Sequence, residues 1–137
     1  MKPRTALVAV FLCLLGCEGS TSSGVPETVS TPVDLLHPED RAYVYRHLKS
    51  FEYQTYVRTG EDCEGTLVLE SDWWGRTLPN RAGGLVHEAR HSEMCHQGCR
   101  QAQEIDANIR AAEALDRAGL HDEATNWRNQ GGVHCGE

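Results

Sequence analysis

Two histidines and a glutamate stand at a spacing that suits metal chemistry. His87 and His91 are four residues apart, and Glu88 directly follows the first of them. In an α-helix, residues four apart lie on one face, one turn apart, so both imidazoles can bind the same metal ion. The carboxylate of Glu88 would then lie beside the metal, where it can take a proton from metal-bound water. This spacing predicts a hydrolytic zinc site.

A catalytic zinc normally has three protein ligands and a water at the fourth position, so a third side chain must come from downstream. Residues 95–99 are typical of a turn, and a second helix is expected to return along the first. Glu104 lies a little over one helical turn beyond this segment. It can therefore face His87 and His91 across the ~8–10 Å that separates the axes of packed helices.

Two other side chains compete with Glu104 for the third position. Asp106 lies two residues further along the same helix, and His96 lies in the turn, five residues after His91. Each offers a donor atom that zinc accepts. The expected helix pairing favours Glu104, with Asp106 and His96 as the alternatives.

The sequence that begins at Glu104 resembles the second signature of the gluzincin metallopeptidases. That family combines His-Glu-x-x-His with a later helix of the type E-x-x-A-[DN]-x-x-A-A, and residues 104–115 read EIDANIRAAEAL. The gap between the two signatures is short here, and Asn108 stands where Asp is commoner. The resemblance implies zinc as the cofactor and Glu104 as the third ligand. It also implies that Asn108 supports His87 through the ring nitrogen that does not bind the metal. It also implies peptide-bond hydrolysis, with Glu88 as the general base.

The elements around the motif predict an α+β fold, a minimal zincin-like domain. Residues 53–57 and 66–70 are rich in strand-forming side chains and are joined by a polar segment with glycine, which favours a β-hairpin or small antiparallel sheet. Helices are expected at residues 39–50, 85–94 and 100–118. We expect the sheet to pack on the motif helix and on the antiparallel helix that follows it. If the strand at 66–70 is an exposed edge, an extended peptide substrate would lie along it by strand addition.

Two further expectations concern packing. Residues 71–84 contain proline, asparagine and three glycines, and are predicted to form a loop that is anchored by Trp73, Trp74 or both. The apolar stripe of the helix after the turn is expected to consist of Ile105, Ile109, Ala112 and Leu115. A short helix is expected around Trp127.

The residue that stabilises the oxyanion during hydrolysis would be Tyr53, Tyr56, His121 or His134.

The N-terminus has the features of a bacterial lipoprotein signal. An apolar run from residue 6 to residue 15 follows a basic start and leads into Leu14-Leu15-Gly16-Cys17, which resembles a lipobox. The expected location is the bacterial cell envelope, lipid-anchored, at the outer membrane facing the periplasm or the exterior. The predicted divisions are a signal peptide (1–16), a flexible tether after lipidated Cys17 (17–31) and a zincin-like domain (32–137).

Four cysteines remain in that domain, namely Cys63, Cys95, Cys99 and Cys135. In an exported chain an even number of cysteines favours disulfides, here two bonds with three possible pairings. Such bonds would stabilise a domain whose apolar core is small.

The charge of the chain bears on its partners. The formal charge is −7, and it becomes −9 once Lys2 and Arg4 leave with the signal peptide. An acidic chain is a poor ligand for nucleic acid, because phosphate binding needs clustered basic residues. The expected partners are a peptide or protein substrate and the membrane, which the lipid anchor would contact. The main alternative is a non-catalytic lipoprotein, zinc-binding or disulfide-stapled, that acts as a binding or structural module.

Overall fold

The computed structural model describes residues 24–53, 60–61, 63–95, 97–98 and 100–131. Within them the chain is α+β and rich in helix, with five α-helices and a small three-stranded sheet. The helices are α1 (Glu27–Val33), α2 (Pro38–His47), α3 (Leu78–Glu93), α4 (Arg100–Arg117) and α5 (His121–Asn129). The strands are β1 (Ser50–Tyr53), β2 (Gly60–Glu61) and β3 (Thr66–Leu69), and a 3₁₀ turn (Trp73–Gly75) precedes α3.

Helix α3 carries the His-Glu-x-x-His motif and lies at the centre of the fold. It contacts α1, α2, α4, α5 and β2. The buried residues of α3 are small or apolar apart from one histidine: Ala82, Gly83, Gly84, Leu85, Val86, His87 and Ala89. A helix with neighbours on so many sides is held in place by packing, which suits a helix that must present ligands in a fixed orientation.

The predicted start of the motif helix at residue 85 is wrong, because α3 begins at Leu78. The hydroxyl of Thr77 accepts a hydrogen bond from the backbone N–H of Asn80 at 3.3 Å and so caps the first turn. Pro79 lies in that first turn, where its missing N–H has no helical partner to lose. These residues read as loop formers in the sequence, but together they form a helix start.

Gly83 and Gly84 lie inside α3 because two tryptophan rings pack against them. A Cβ atom added at Gly83 would lie 2.3 Å from Nε1 of Trp127, and one added at Gly84 would lie 3.4 Å from the ring of Trp73. Trp73 is fully buried and Trp74 is 59 % exposed, so the prediction that at least one of the pair is an anchor is confirmed. Close approach of the rings outweighs the weak helix propensity of glycine.

The predicted hairpin joined residues 53–57 to residues 66–70, and residues 54–57 lie outside the described residues. The antiparallel arrangement expected for the sheet is wrong for its main pair of strands. The strand order is β1-β3-β2; β1 pairs with β3 in parallel, and β2 pairs with β3 antiparallel. Gly65 accounts for the difference: its φ of +86° favours glycine, and a Cβ there would lie 2.4 Å from the carbonyl oxygen of His47. Its carbonyl accepts hydrogen bonds from Lys49 and Ser50, so β3 starts beside the start of β1.

The end of the predicted tether also differs from the sequence-based expectation. The predicted tether at residues 17–31 ends too late, because α1 begins at Glu27 and both Thr28 and Val29 are buried. The indole of Trp73 donates a hydrogen bond to the carbonyl oxygen of Thr28 at 3.2 Å, which ties α1 to the rest of the domain. Residues 1–23, with the predicted signal peptide and Cys17, lie outside the described residues.

Helix α4 packs through small side chains and not through its isoleucines. Ile105 and Ile109 are 44 % and 46 % exposed, so their predicted place in the apolar stripe is wrong, whereas Ala112 and Leu115 of that stripe are buried. The buried residues of this helix are mostly alanines: Ala107, Asn108, Ala111, Ala112, Ala114 and Leu115. Small side chains on α4 and on α3 allow the two helices to approach closely, and the predicted pairing of these helices is confirmed.

Candidate metal centre

The structure brings His87, His91 and Glu104 together. Nε2 of His87 lies 3.0 Å from Nε2 of His91, and the two Glu104 carboxylate oxygens lie 3.4 Å and 3.3 Å from these nitrogens. In a tetrahedral zinc site with bonds of ~2.1 Å, neighbouring ligand atoms are roughly 3.4 Å apart. The three groups therefore already have the spacing of three corners of a zinc tetrahedron.

Three features of the chain position this group. The i, i+4 spacing on α3 places His87 and His91 on one face, and the packing of α4 on α3 brings Glu104 to that face. A disulfide between Cys63 and Cys95, with a Cα–Cα distance of 5.4 Å, ties the end of α3 to the segment before β3. The end of the motif helix is thus fixed covalently, four residues beyond His91.

The three side chains are largely removed from solvent, with exposed fractions of 11 %, 13 % and 23 % for His87, His91 and Glu104. Burial lowers the pKa of His91, and the neighbouring His87 lowers that pKa further. A hydrogen bond from His87 lowers the pKa of Glu104, although burial acts in the opposite direction. At neutral pH, His91 is therefore neutral and Glu104 ionised, which are the forms that bind metal.

The alternative third ligands lie elsewhere. Asp106 forms an ion pair with Arg90 of α3 and is 46 % exposed. Among the described residues, the only group of three or more potential ligands close enough to share one metal ion is His87, His91 and Glu104. His96 lies outside the described residues.

Glu88, the expected base, follows His87 on α3 and is half-buried. Of the expected oxyanion helpers, Tyr53 is 53 % exposed on β1 and His121 is exposed at the start of α5. The other two, Tyr56 and His134, lie outside the described residues.

Asn108 is buried beside the centre but does not form the expected hydrogen bond to His87. Its amide donates to the carbonyl oxygen of Gln130 at 3.1 Å. Nδ1 of His87 and Oδ1 of Asn108 are both buried without a hydrogen-bond partner among the described residues. Asn108 thus holds the end of α5 against α4, and the ring of His87 depends on other contacts for its orientation.

Trp127 is the neighbour of the centre that the sequence did not reveal. Its ring lies 5.3 Å from the ring of His87, centroid to centroid, at an interplanar angle of 40°. The indole is only 5 % exposed. One residue of the sequence is consistent with this contact. Gly83 lies one turn before His87 on the same helix face, and its missing side chain leaves room for a large ring.

A buried ion pair joins α2 to α4 away from the metal ligands. Asp40 is 1 % exposed and accepts two hydrogen bonds from Arg117, at 2.9 Å and 2.7 Å. Arg110 lies 3.4 Å from the same carboxylate, and its guanidinium lies 4.6 Å from the ring centroid of Tyr43. Two cations compensate the single buried anion, which is what a buried carboxylate requires.

Tyr43 extends this network to α3. Its hydroxyl donates to Oε2 of Glu93 at 2.6 Å, and Arg90 also binds that carboxylate at 2.7 Å. Burial would raise the pKa of Glu93, but the hydrogen bonds from Tyr43 and Arg90 outweigh it and lower that pKa. The last turn of the motif helix is thereby anchored to α2.

The expected substrate edge is not free. Thr66–Leu69 forms β3, the central strand of the sheet, with β1 on one side and β2 on the other. All four residues of this strand pair with β1, and Leu67 and Val68 also pair with β2, so the condition for addition of an extended peptide, an exposed edge, is not met. The short strand β2 contacts α3 and forms the sheet edge beside the motif helix.

Some predictions fall on residues that the structure does not describe. These are the lipidation site Cys17 and the disulfide candidates Cys99 and Cys135. Among the described residues, no helix is long and apolar enough to cross a membrane.

Comparisons with protein-family models, with curated proteins and with solved structures found no match to this chain. The interpretation of the centre therefore depends on its own geometry and chemistry.

Proposed function

We propose that the chain binds one Zn²⁺ through His87, His91 and Glu104 and hydrolyses peptide bonds with Glu88 as general base. The observation that carries the proposal is the spacing of the three ligand groups, 3.0 to 3.4 Å between donor atoms. Two imidazoles and one carboxylate, largely removed from solvent and spaced at about the edge length of a zinc tetrahedron, are a specific arrangement. The resemblance to the gluzincin signatures supports the same assignment.

The donor set fits zinc and fits catalysis. Two imidazoles and one carboxylate are a ligand set of catalytic zinc sites, whereas structural sites are usually closed by four protein ligands. The partial exposure of Glu104 leaves one side of the group open to solvent. When bound there, zinc would polarise a scissile carbonyl and lower the pKa of a coordinated water towards ~7.

The proton transfers of the reaction are assigned to a residue of the chain. Glu88 follows His87 on a helix that is packed on several sides, which fixes its backbone position relative to the two histidines. It would accept the proton of the attacking water and deliver it to the leaving amine. The buried side of the group, covered by α4 and α5, keeps water away from the inner face of the ligands.

The cellular setting belongs to the same proposal. A zincin-like hydrolase anchored by a lipid on Cys17 would act on peptides or proteins at the bacterial cell envelope, and its acidic charge disfavours nucleic acid as a partner.

One observation favours a second candidate, a non-catalytic zinc-binding or disulfide-stapled module. The strand expected to hold substrate is paired on both edges, and the Cys63–Cys95 disulfide fixes the adjacent segment. A zinc ion in this setting would stabilise the helix pair without needing a substrate. Metal analysis combined with a cleavage assay separates the two candidates.

The test uses the purified chain with its disulfides intact. Elemental analysis should find one zinc per chain, and a peptide library should be cleaved. Glu88→Gln should keep zinc but lower kcat/KM by about 10²- to 10⁴-fold. Glu113→Gln, which removes the same charge from an exposed position on α4, is the matched control and should leave cleavage unchanged.

Each outcome has a distinct meaning. Zinc without any cleavage would support the non-catalytic module. Full cleavage by Glu88→Gln would remove Glu88 from the mechanism, and absence of zinc from the wild-type chain would refute the metal centre.

A further inference from the structure

A row of three residues on α3 connects the metal ligands to Trp127. Gly83, His87 and His91 are spaced four residues apart and so lie on one helix face. The indole of Trp127 lies over the glycine end of this row, and the carboxylate of Glu104 lies at the histidine end.

The ring of His87 lies between two aromatic neighbours. The His91 ring is 4.6 Å away at an interplanar angle of 73°, and the Trp127 ring is 5.3 Å away at 40°. Metal-binding histidines usually have their orientation fixed by a hydrogen bond at the second ring nitrogen. Nδ1 of His87 has no such partner in the described part of the chain. Apart from the contact of its Nε2 with Glu104, the ring is therefore oriented by packing.

The position of Trp127 is itself set by shape. Its Nε1 is buried and has no hydrogen-bond partner among the described residues, in contrast to Trp73, which donates to Thr28. A Cβ at Gly83 would come within 2.3 to 2.9 Å of three atoms of the indole. Only glycine leaves this space, so the residue at position 83 determines how closely Trp127 approaches α3.

We propose that Trp127 is a positioning residue of the metal centre, resting on Gly83 and holding the His87 ring with Nε2 turned towards His91 and Glu104. This inference rests on the proposed zinc site and adds the element that forms the site before metal arrives. Without the indole, the ring of His87 could rotate, and metal binding would first have to order it.

The first test compares two buried tryptophans. Trp127→Ala should weaken Zn²⁺ binding by about ten-fold, measured by competition with a chelating dye, and should alter the visible absorption of the Co²⁺-loaded protein. Trp127→Phe should restore most of the affinity, because it keeps an aromatic ring against His87. Trp73→Ala removes an equally large buried ring away from the ligands and should lower thermal stability while leaving zinc affinity within about two-fold.

The second test uses two adjacent glycines and smaller changes. Gly83→Ala forces Trp127 away from α3 and should weaken zinc binding by about ten-fold. Gly84→Ala introduces the same methyl group one position later, facing Trp73 at 3.4 Å, and should leave zinc affinity within about two-fold.

The outcomes separate this inference from the metal centre itself. Selective loss of zinc affinity in Trp127→Ala and Gly83→Ala supports it. Wild-type affinity in both variants, or losses of affinity that merely follow thermal stability in all variants including the two controls, overturns it while leaving the centre intact. A wild-type chain that binds no zinc overturns both.

Discussion

The identity of the third ligand gives the sharpest test of the centre. The carboxylate oxygens of Glu104 lie 3.4 Å and 3.3 Å from the nitrogens of His87 and His91. Asp106, two residues later on the same helix, pairs with Arg90 instead. Replacing each acid by alanine removes one carboxylate of α4 in each case, but only Glu104→Ala removes a ligand.

The expected magnitude follows from the number of ligands. Zinc bound by four protein ligands in small domains is worth ~10–16 kcal/mol, or roughly 2.5–4 kcal/mol for each ligand. A factor of ten in affinity corresponds to about 1.4 kcal/mol, so Glu104→Ala should weaken zinc binding by about 100- to 1000-fold. Asp106→Ala should change it by less than about two-fold, because a half-exposed ion pair contributes little to a site that it does not enter.

The assay is a competition between the protein and a chelator of known affinity at fixed pH, with the melting temperature measured on the metal-free variants. Glu104→Gln keeps the shape of the side chain and separates the loss of charge from the loss of packing. A large loss in Asp106→Ala with none in Glu104→Ala would move the third ligand to Asp106. Unchanged affinity in both variants would refute the three-residue centre.

Three further predictions concern stability. Asp40→Ala removes two charge-assisted hydrogen bonds from the partly exposed Arg117 and should lower the free energy of unfolding by about 2–3 kcal/mol in urea denaturation; a loss below about 1 kcal/mol would contradict a stabilising role for the ion pair. Because the folded-state pKa of Glu93 is lowered, its stabilising effect is present above the unfolded-state value of ~4.3 and disappears as the pH falls below it. Acid titration of Glu93→Gln should therefore show a shallower loss of stability than the wild type. Replacing Cys63 and Cys95 by serine opens a loop closed over 32 positions and should cost about 3–4 kcal/mol; equal melting temperatures with and without the bond would refute this.

The candidate site could be predicted from the sequence because it depends on residue spacing within one helix and on a short connection to the next. The i, i+4 spacing of His87 and His91 is a property of one helix, and the short connection after that helix limits which residues of α4 can face it. These two facts favoured Glu104 but left Asp106 and His96 as alternatives, and the structure brings Glu104 together with the two histidines. The pairing of α3 with α4 was predictable for the same reason.

The parts that could not be predicted depend on contacts distant in sequence. The parallel pairing of β1 with β3 depends on Gly65 lying against the carbonyl of His47, which no local pattern shows. Gly83 and Gly84 read as loop residues because their packing partners lie far along the chain. The alternation of apolar residues and the helix or strand propensity of a segment describe single elements. The register of two strands and the close approach of a ring to a helix depend on two elements that are distant in the sequence.

The two glycines of α3 also explain how a small domain can hold a rigid centre with few hydrogen bonds. Each lets a tryptophan ring lie directly on the motif helix, Trp73 from the side of α1 and Trp127 from α5. Only the second ring also touches a ligand, since it lies beside His87. Loosening of α5 should therefore reduce zinc affinity as well as stability, whereas loosening of α1 should reduce stability alone. On the proposed zinc site, packing against Trp127 then contributes to the orientation of His87 together with the contact of its Nε2 with Glu104.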